Sequence, residues 1–137
     1  MKTIVCIDDE ADILKCFKDA LEMRGYHVIT TTDPDEGIRI IRNHKPVDLL
    51  LLDVKMPGKN GFDVYREIRT FHPPTAVIFV TAYPKSFSAE KDEVVKMWQE
   101  EFSDGTTDIL YKPFPLEALF MKIEAMIGPA DDGTPTV

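Results

Sequence analysis

The stretch VDLLLLDVKMPGKNG, residues 47–61, decides the fold. Leucines at 49–52 run into a single aspartate, Asp53, and then into a turn containing Pro57, Gly58 and Gly61. An apolar run without polar alternation suits a parallel strand covered on both faces. A carboxylate held against apolar surface is costly unless something compensates its charge. The strand therefore asks the rest of the chain for a partner to Asp53.

Four further runs have the same character: TIVCI (3–7), HVIT (27–30), AVIFV (76–80) and DILY (108–111), with VDLLLL (47–52) between them. Helical patterns separate them. Ile13, Leu14, Phe17 and Leu21 recur at helical spacing, with Gly25 at the expected C-terminal turn. DPDE at 33–36 places Asp33 as N-cap, Pro34 at the first helical position and Glu36 at the third, an aspartate-led capping box. A third helix follows Gly61, with Tyr65 and Ile68 on one stripe. In a fourth, Val94, Val95, Trp98 and Phe102 share a face. The last carries Leu116, Leu119, Phe120, Ile123 and Ile127 and stops at Gly128-Pro129. Strand–helix alternation repeated five times predicts an α/β doubly wound parallel sheet over residues 1–128. PADDGTPTV (129–137) reads as a polar tail or linker stub.

Size and charge narrow the function. The 137 residues fit one domain, 44% are apolar and 29% charged, and the formal net charge is −8. That balance argues against a nucleic-acid surface, which needs clustered Lys and Arg. No apolar run approaches the roughly 20 residues that span a bilayer, and the N-terminus lacks a signal-peptide pattern. Cys6 and Cys16 match neither a metal nor a disulfide framework and read as small buried hydrophobes in a reduced, cytoplasmic protein.

Right-handed crossovers bring the C-terminal ends of parallel strands to one edge, where such folds bind ligands. That edge collects Asp8, Asp9 and Glu10, then Asp53, Thr81 and Lys112. Crowded carboxylates raise one another's pKa unless a cation intervenes, and a hard divalent ion with oxygen ligands, such as Mg²⁺, resolves the repulsion. Asp53 could then attack phosphorus, with Lys112 and Thr81 donating to the phosphoryl oxygens. Glu10 reads as a helix-start acid favoured by the macrodipole, outside the site.

VCIDDE (5–10), LLDVKMPGKNG (51–61), FVTAY (79–83) and YKPF (111–114) together resemble the receiver domain of two-component response regulators, over roughly residues 2–127. The resemblance implies a flavodoxin-like sheet of order 2-1-3-4-5 flanked by five helices. It implies Asp53 as phosphoacceptor, Asp9 as a direct Mg²⁺ ligand, Asp8 acting largely through metal-bound water, and the Lys55 backbone carbonyl as a further ligand. Lys112 would grip the phosphoryl group, with a cis bond to Pro113, and Thr81 would be the switch hydroxyl. Lys55 and Tyr83 would influence water access to the phosphoryl group. The implied partners are a sensor histidine kinase or phosphotransfer protein and a downstream protein met by residues 85–127, with catalysis limited to the chain's own phosphotransfer and dephosphorylation.

The chain departs from the pattern in two places. Ile109 stands three residues before Lys112, where receivers commonly carry Tyr or Phe; the neighbouring Tyr111 is not assigned that role. Thr81 and Lys112 are separated by a longer stretch than usual, rich in acid around WQEEFSDGTTD, which suggests an enlarged, acidic fourth helix and a partner-specific surface. Two other readings stand beside this one. One is a receiver-fold interaction module that is not phosphorylated. The other is a small enzyme on a similar sheet, an aspartyl phosphatase or flavin binder. Against the enzyme, DDE lacks the D-x-D spacing and no Gly-rich phosphate loop follows a strand.

Overall fold

The computed structural model describes residues 1–43, 46–71, 74, 76–82, 93–102 and 105–129. His44, His72, Tyr83, residues 85–92 and the tail beyond 129 lie outside the described residues, as do the side chains of Val94 and Val95. Strands and helices alternate: β1 (Thr3–Ile7), α1 (Ala11–Met23), β2 (His27–Thr31), α2 (Pro34–Asn43), β3 (Leu49–Asp53), α3 (Gly61–Ile68), β4 (Ala76–Thr81), α4 (Glu93–Glu101), β5 (Thr107–Tyr111) and α5 (Leu116–Ile127). The sheet is parallel with order β2-β1-β3-β4-β5. All five expected strands form, β1 at its expected bounds and the other four with one end or both moved by one or two residues. β3 starts at Leu49 rather than Val47, and just ahead of it the Asp48 carboxylate accepts from the Thr3 N–H at 2.8 Å.

Side chains alternate across the sheet and build two cores. One packs Val5, Ile7, Leu50, Leu52, Val77, Phe79 and Ile109 against α2, α3 and Phe102 at the end of α4. The other packs Ile4, Cys6, Leu49, Leu51, Ile78, Val80 and Leu110 against α1 and α5. Leu14, Phe17 and Leu21 form the buried stripe of α1, so Cys16 falls off it and is exposed, contrary to the buried place expected for it. Cys6 is buried as expected.

The helix ends show how the chain turns between helices and strands. α1 stops with Arg24 as C-cap and Gly25 at φ 97°, in the left-handed region that favours glycine. Asp33 accepts a hydrogen bond from the Asp35 N–H at 3.0 Å, as an N-cap should. The reciprocal half of the expected capping box is not Glu36: the Asp33 N–H donates to Thr31 Oγ1 at 3.1 Å. Asn60 caps α3 through the Asp63 N–H at 3.0 Å. Gly61 is required by contact, since a Cβ there would lie 2.4 Å from the Asp53 carbonyl oxygen. The start of α3 thus docks directly on the backbone of the residue whose carboxylate was in question.

α4 as described spans nine residues, from Glu93. Its far end is fastened to β5, where Trp98 Nε1 donates to Thr107 Oγ1 at 2.8 Å and Thr107 Oγ1 donates to the Phe102 carbonyl. No described helix is long and apolar enough to cross a membrane.

Candidate functional site

Backbone hydrogen bonds hold the strand ends together at the C-terminal edge. Asp8 N–H donates to the Thr31 carbonyl at 3.3 Å, Val54 N–H to Val80 at 2.8 Å, and Lys112 N–H to Thr81 at 2.7 Å. Each residue after a strand is therefore tied to the neighbouring strand before its side chain is considered. Asp8, Asp53 and Thr81 are all buried, Thr81 completely. Asp9 and Glu10 are exposed.

Lys112 is the cation that serves these acids. Its Nζ lies 2.9 Å from Asp8 Oδ2, 3.4 Å from Glu10 Oε1 and 3.9 Å from Asp53 Oδ1. The other oxygen of Asp8 accepts from the Glu10 N–H at 2.9 Å. Burial works against the charge on Lys112. The Asp8 hydrogen bond and the charges of Asp53, Asp8 and Glu10 more than offset it, holding the ammonium's pKa above its ordinary value.

The Asp53 carboxyl is pushed up to about 7. Burial is the largest cause, and the Asp8 charge adds to it; Lys112 opposes both, while Asp9 raises the pKa further by hydrogen bond and charge. One ammonium does not neutralise this group of acids. The carboxylate oxygens of Asp8, Asp9 and Glu10 also lie within 4.8 Å of one another. An all-oxygen donor set with uncompensated charge beside it fits a hard divalent cation such as Mg²⁺. Lys55 follows on the exposed loop after β3.

The sequence expectations place Asp8, Asp9, Asp53, Thr81 and Lys112 at this edge, and the fold brings them there. The peptide bond between Lys112 and Pro113 is cis, as the resemblance implied. Glu10, expected outside the site, stands beside Lys112 within it. At the N-cap of α1 its side chain caps no helical N–H, and its carboxylate faces Lys112 instead. A signal existed, since glutamate is not among the strongly preferred N-cap residues. Ile109 lies in register with Phe79 and is buried in the α2/α3 core. Tyr111 packs on that same core from its place opposite Thr81.

A doubly wound parallel sheet of order 2-1-3-4-5, carrying acids after β1 and β3 and a lysine after β5, defines a flavodoxin-like α/β protein with its site on the C-terminal edge. The family model described as response regulator receiver domain matches residues 4–124, and the chain belongs to that family. It is a receiver domain of two-component signalling.

Among curated proteins, it is 35% identical over 127 residues to the transcriptional regulatory protein CpxR of Klebsiella pneumoniae, covering 93% of this chain and 50% of that protein. It is 29% identical to the response regulator SaeR of Staphylococcus aureus, covering 93% and 51%. The chain thus spans about half the length of these relatives. A solved receiver domain from Clostridium thermocellum is similar with TM-score 0.73 and 31% identity, covering 93% of this chain and 94% of that one. A CheY-like receiver domain from Methanospirillum hungatei gives 0.78 and 26%, with coverage of 93% and 94%.

Proposed function

We propose that this domain is a phosphorylation-dependent switch that accepts a phosphoryl group on Asp53 and changes its protein-interaction surface. The observation that carries the reading is the buried Asp53 carboxylate at the end of β3, with Lys112 Nζ 3.9 Å away. A carboxylate oxygen of Asp53 attacks the phosphorus of a phosphohistidine on a sensor histidine kinase or phosphotransfer protein. The new O–P bond forms as the N–P bond breaks. The electron pair leaves with the donor imidazole, which takes a proton from solvent. Lys112 donates to the phosphoryl oxygens as their charge spreads, and the Thr81 hydroxyl is the second donor. Asp8, Asp9, Asp53 and the Lys55 carbonyl would hold Mg²⁺, which would supply charge neutralisation at the phosphoryl oxygens. The chain turns over no other substrate.

The switch unit is residues 1–128, in the cytoplasm, with residues beyond as tail or linker. Its downstream partner is a protein that meets residues 85–127; neither nucleic acid nor membrane is a partner of this domain, since the chain carries a formal charge of −8. Asp53 phosphorylation would bias the populations of two surface states. A receiver-fold interaction module that is never phosphorylated is the second reading. It is favoured by one observation: Ile109, not an aromatic, fills the core beside Phe79.

Intact mass after incubation with acetyl phosphate separates the two. The expected result is a single phosphoryl adduct that needs both Mg²⁺ and Asp53, absent from Asp53→Asn. No adduct, together with no response to beryllofluoride, sinks the phosphorylation reading in favour of the binding module.

A further inference from the structure

We propose that Glu10 is a positioning residue that holds Lys112 back in the resting state and so slows phosphoryl acceptance by Asp53. The inference rests on the reading of Asp53 as acceptor. It begins with a side chain in an unexpected place. Glu10 is the N-cap of α1, where a short polar side chain would satisfy free helical N–H groups. Its carboxylate makes no such bond and lies 3.4 Å from Lys112 Nζ. Its N–H meanwhile donates to Asp8 Oδ1, and Asp8 Oδ2 accepts from Lys112. Asp8, Glu10 and Lys112 form a closed unit that points the ammonium toward β1.

The consequence follows from the distances. Lys112 Nζ is nearer to Asp8 and to Glu10 than to Asp53, at 2.9, 3.4 and 3.9 Å. A phosphoryl group on Asp53 extends the anion outward, and Lys112 must turn from its present partners to reach it. Asp8 is buried and fixed by the Glu10 N–H, so it cannot follow or withdraw. The Glu10 side chain is 58% exposed and can swing into water. The contact given up most readily on phosphorylation is therefore the longer one, with Glu10, whose exposed side chain has room to move aside.

The test compares wild type with Glu10→Gln, which keeps the shape and removes the charge, and Glu10→Asp, which keeps the charge and withdraws it from Lys112. The initial rate of adduct formation with acetyl phosphate at saturating Mg²⁺ is followed by intact mass. Beryllofluoride affinity is followed in parallel through Trp98 emission, and melting curves check that all three proteins are folded. Glu10→Gln is expected to gain about threefold to tenfold in rate at low salt and to bind the mimic more tightly, a gain that shrinks at high ionic strength. Glu10→Asp should behave like Glu10→Gln. Equal rates for wild type and Glu10→Gln overturn the inference while leaving Asp53 as acceptor. A fast Glu10→Gln beside a Glu10→Asp that matches wild type also overturns it, assigning the effect to charge at the mouth rather than to restraint of Lys112. If wild type takes up neither phosphoryl group nor mimic, the reading of Asp53 fails and this inference falls with it.

Discussion

The α3/α4 side of the sheet and its C-terminal edge are both buried, and they use burial for opposite ends. On the α3/α4 side, Phe62, Tyr65, Phe79 and Phe102 form an aromatic cluster with ring centroids 4.8–5.7 Å apart in edge-on, tilted and stacked arrangements. Such pairs add to the stabilisation of apolar burial. Arg66 and Arg69 lie over the Phe102 ring, so even the charged rim contributes. At the C-terminal edge, by contrast, Asp53 and Asp8 are about as buried as these rings but set two acids against the Lys112 ammonium. The first region holds the domain together. The second costs stability and keeps a carboxylate short of positive charge, which is the state a divalent cation and a phosphoryl donor can use.

If this division is right, truncation in the cluster should cost most. Phe79→Ala removes a fully buried ring touching Phe62, Tyr65 and Phe102, and should lose about 3–5 kcal/mol in urea denaturation. A loss under 1 kcal/mol would mean that the cluster is not the stabilising half. Gly61→Ala tests the seam between the regions. A Cβ there meets the Asp53 backbone, and separation of α3 from β3 should cost about 1–3 kcal/mol and reduce phosphoryl uptake together.

Asp53→Asn should act in the opposite direction. The Asp53 carboxyl lies near 7 in the folded chain against an ordinary 3.8. Below the ordinary value both states are protonated and the acid carries no penalty. As pH rises toward 7 the unfolded chain ionises first, so the wild type loses stability across that window relative to the amide. In chelator at pH 8 the variant's Tm should exceed the wild type's by roughly 3–8 °C. The gap should close toward pH 4, and calorimetry at the two pH values measures it. An unchanged or lower Tm at pH 8 would break the contrast between the regions.

The smallest effect belongs to the exposed rim. Arg66 makes a two-pronged contact with Glu101 at 2.7 and 2.6 Å, but both side chains are more than a third exposed. Glu101→Gln should cost about 0.5 kcal/mol or less by urea denaturation, and less still at high salt.

Much of this was legible from residue types alone. Unbroken runs such as LLLL at 49–52 mark strands covered on both faces, because only burial from two sides makes every position apolar. The alternation with helical stripes then brings Asp8, Asp53, Thr81 and Lys112 to one edge through chain connectivity and handedness alone. Cys16's exposure was legible too, since the stripe of Leu14, Phe17 and Leu21 leaves it off the buried face. Local context did not reveal that Thr31, rather than Glu36, completes the cap of α2.

The sequence by itself determined the sheet, its order of elements and the identities of the acids and the lysine at its edge, because strand periodicity and crossover geometry are local rules repeated along the chain. Only the tertiary structure decided how Lys112 divides itself among Asp8, Glu10 and Asp53, and that the Glu10 side chain turns from its helix to join them. It also decided that the face of β5 carrying Ile109 and Tyr111 packs over the core that holds the aromatic cluster. These outcomes depend on contacts at 2.9, 3.4 and 3.9 Å between residues as many as 104 positions apart, set by packing and charge in three dimensions.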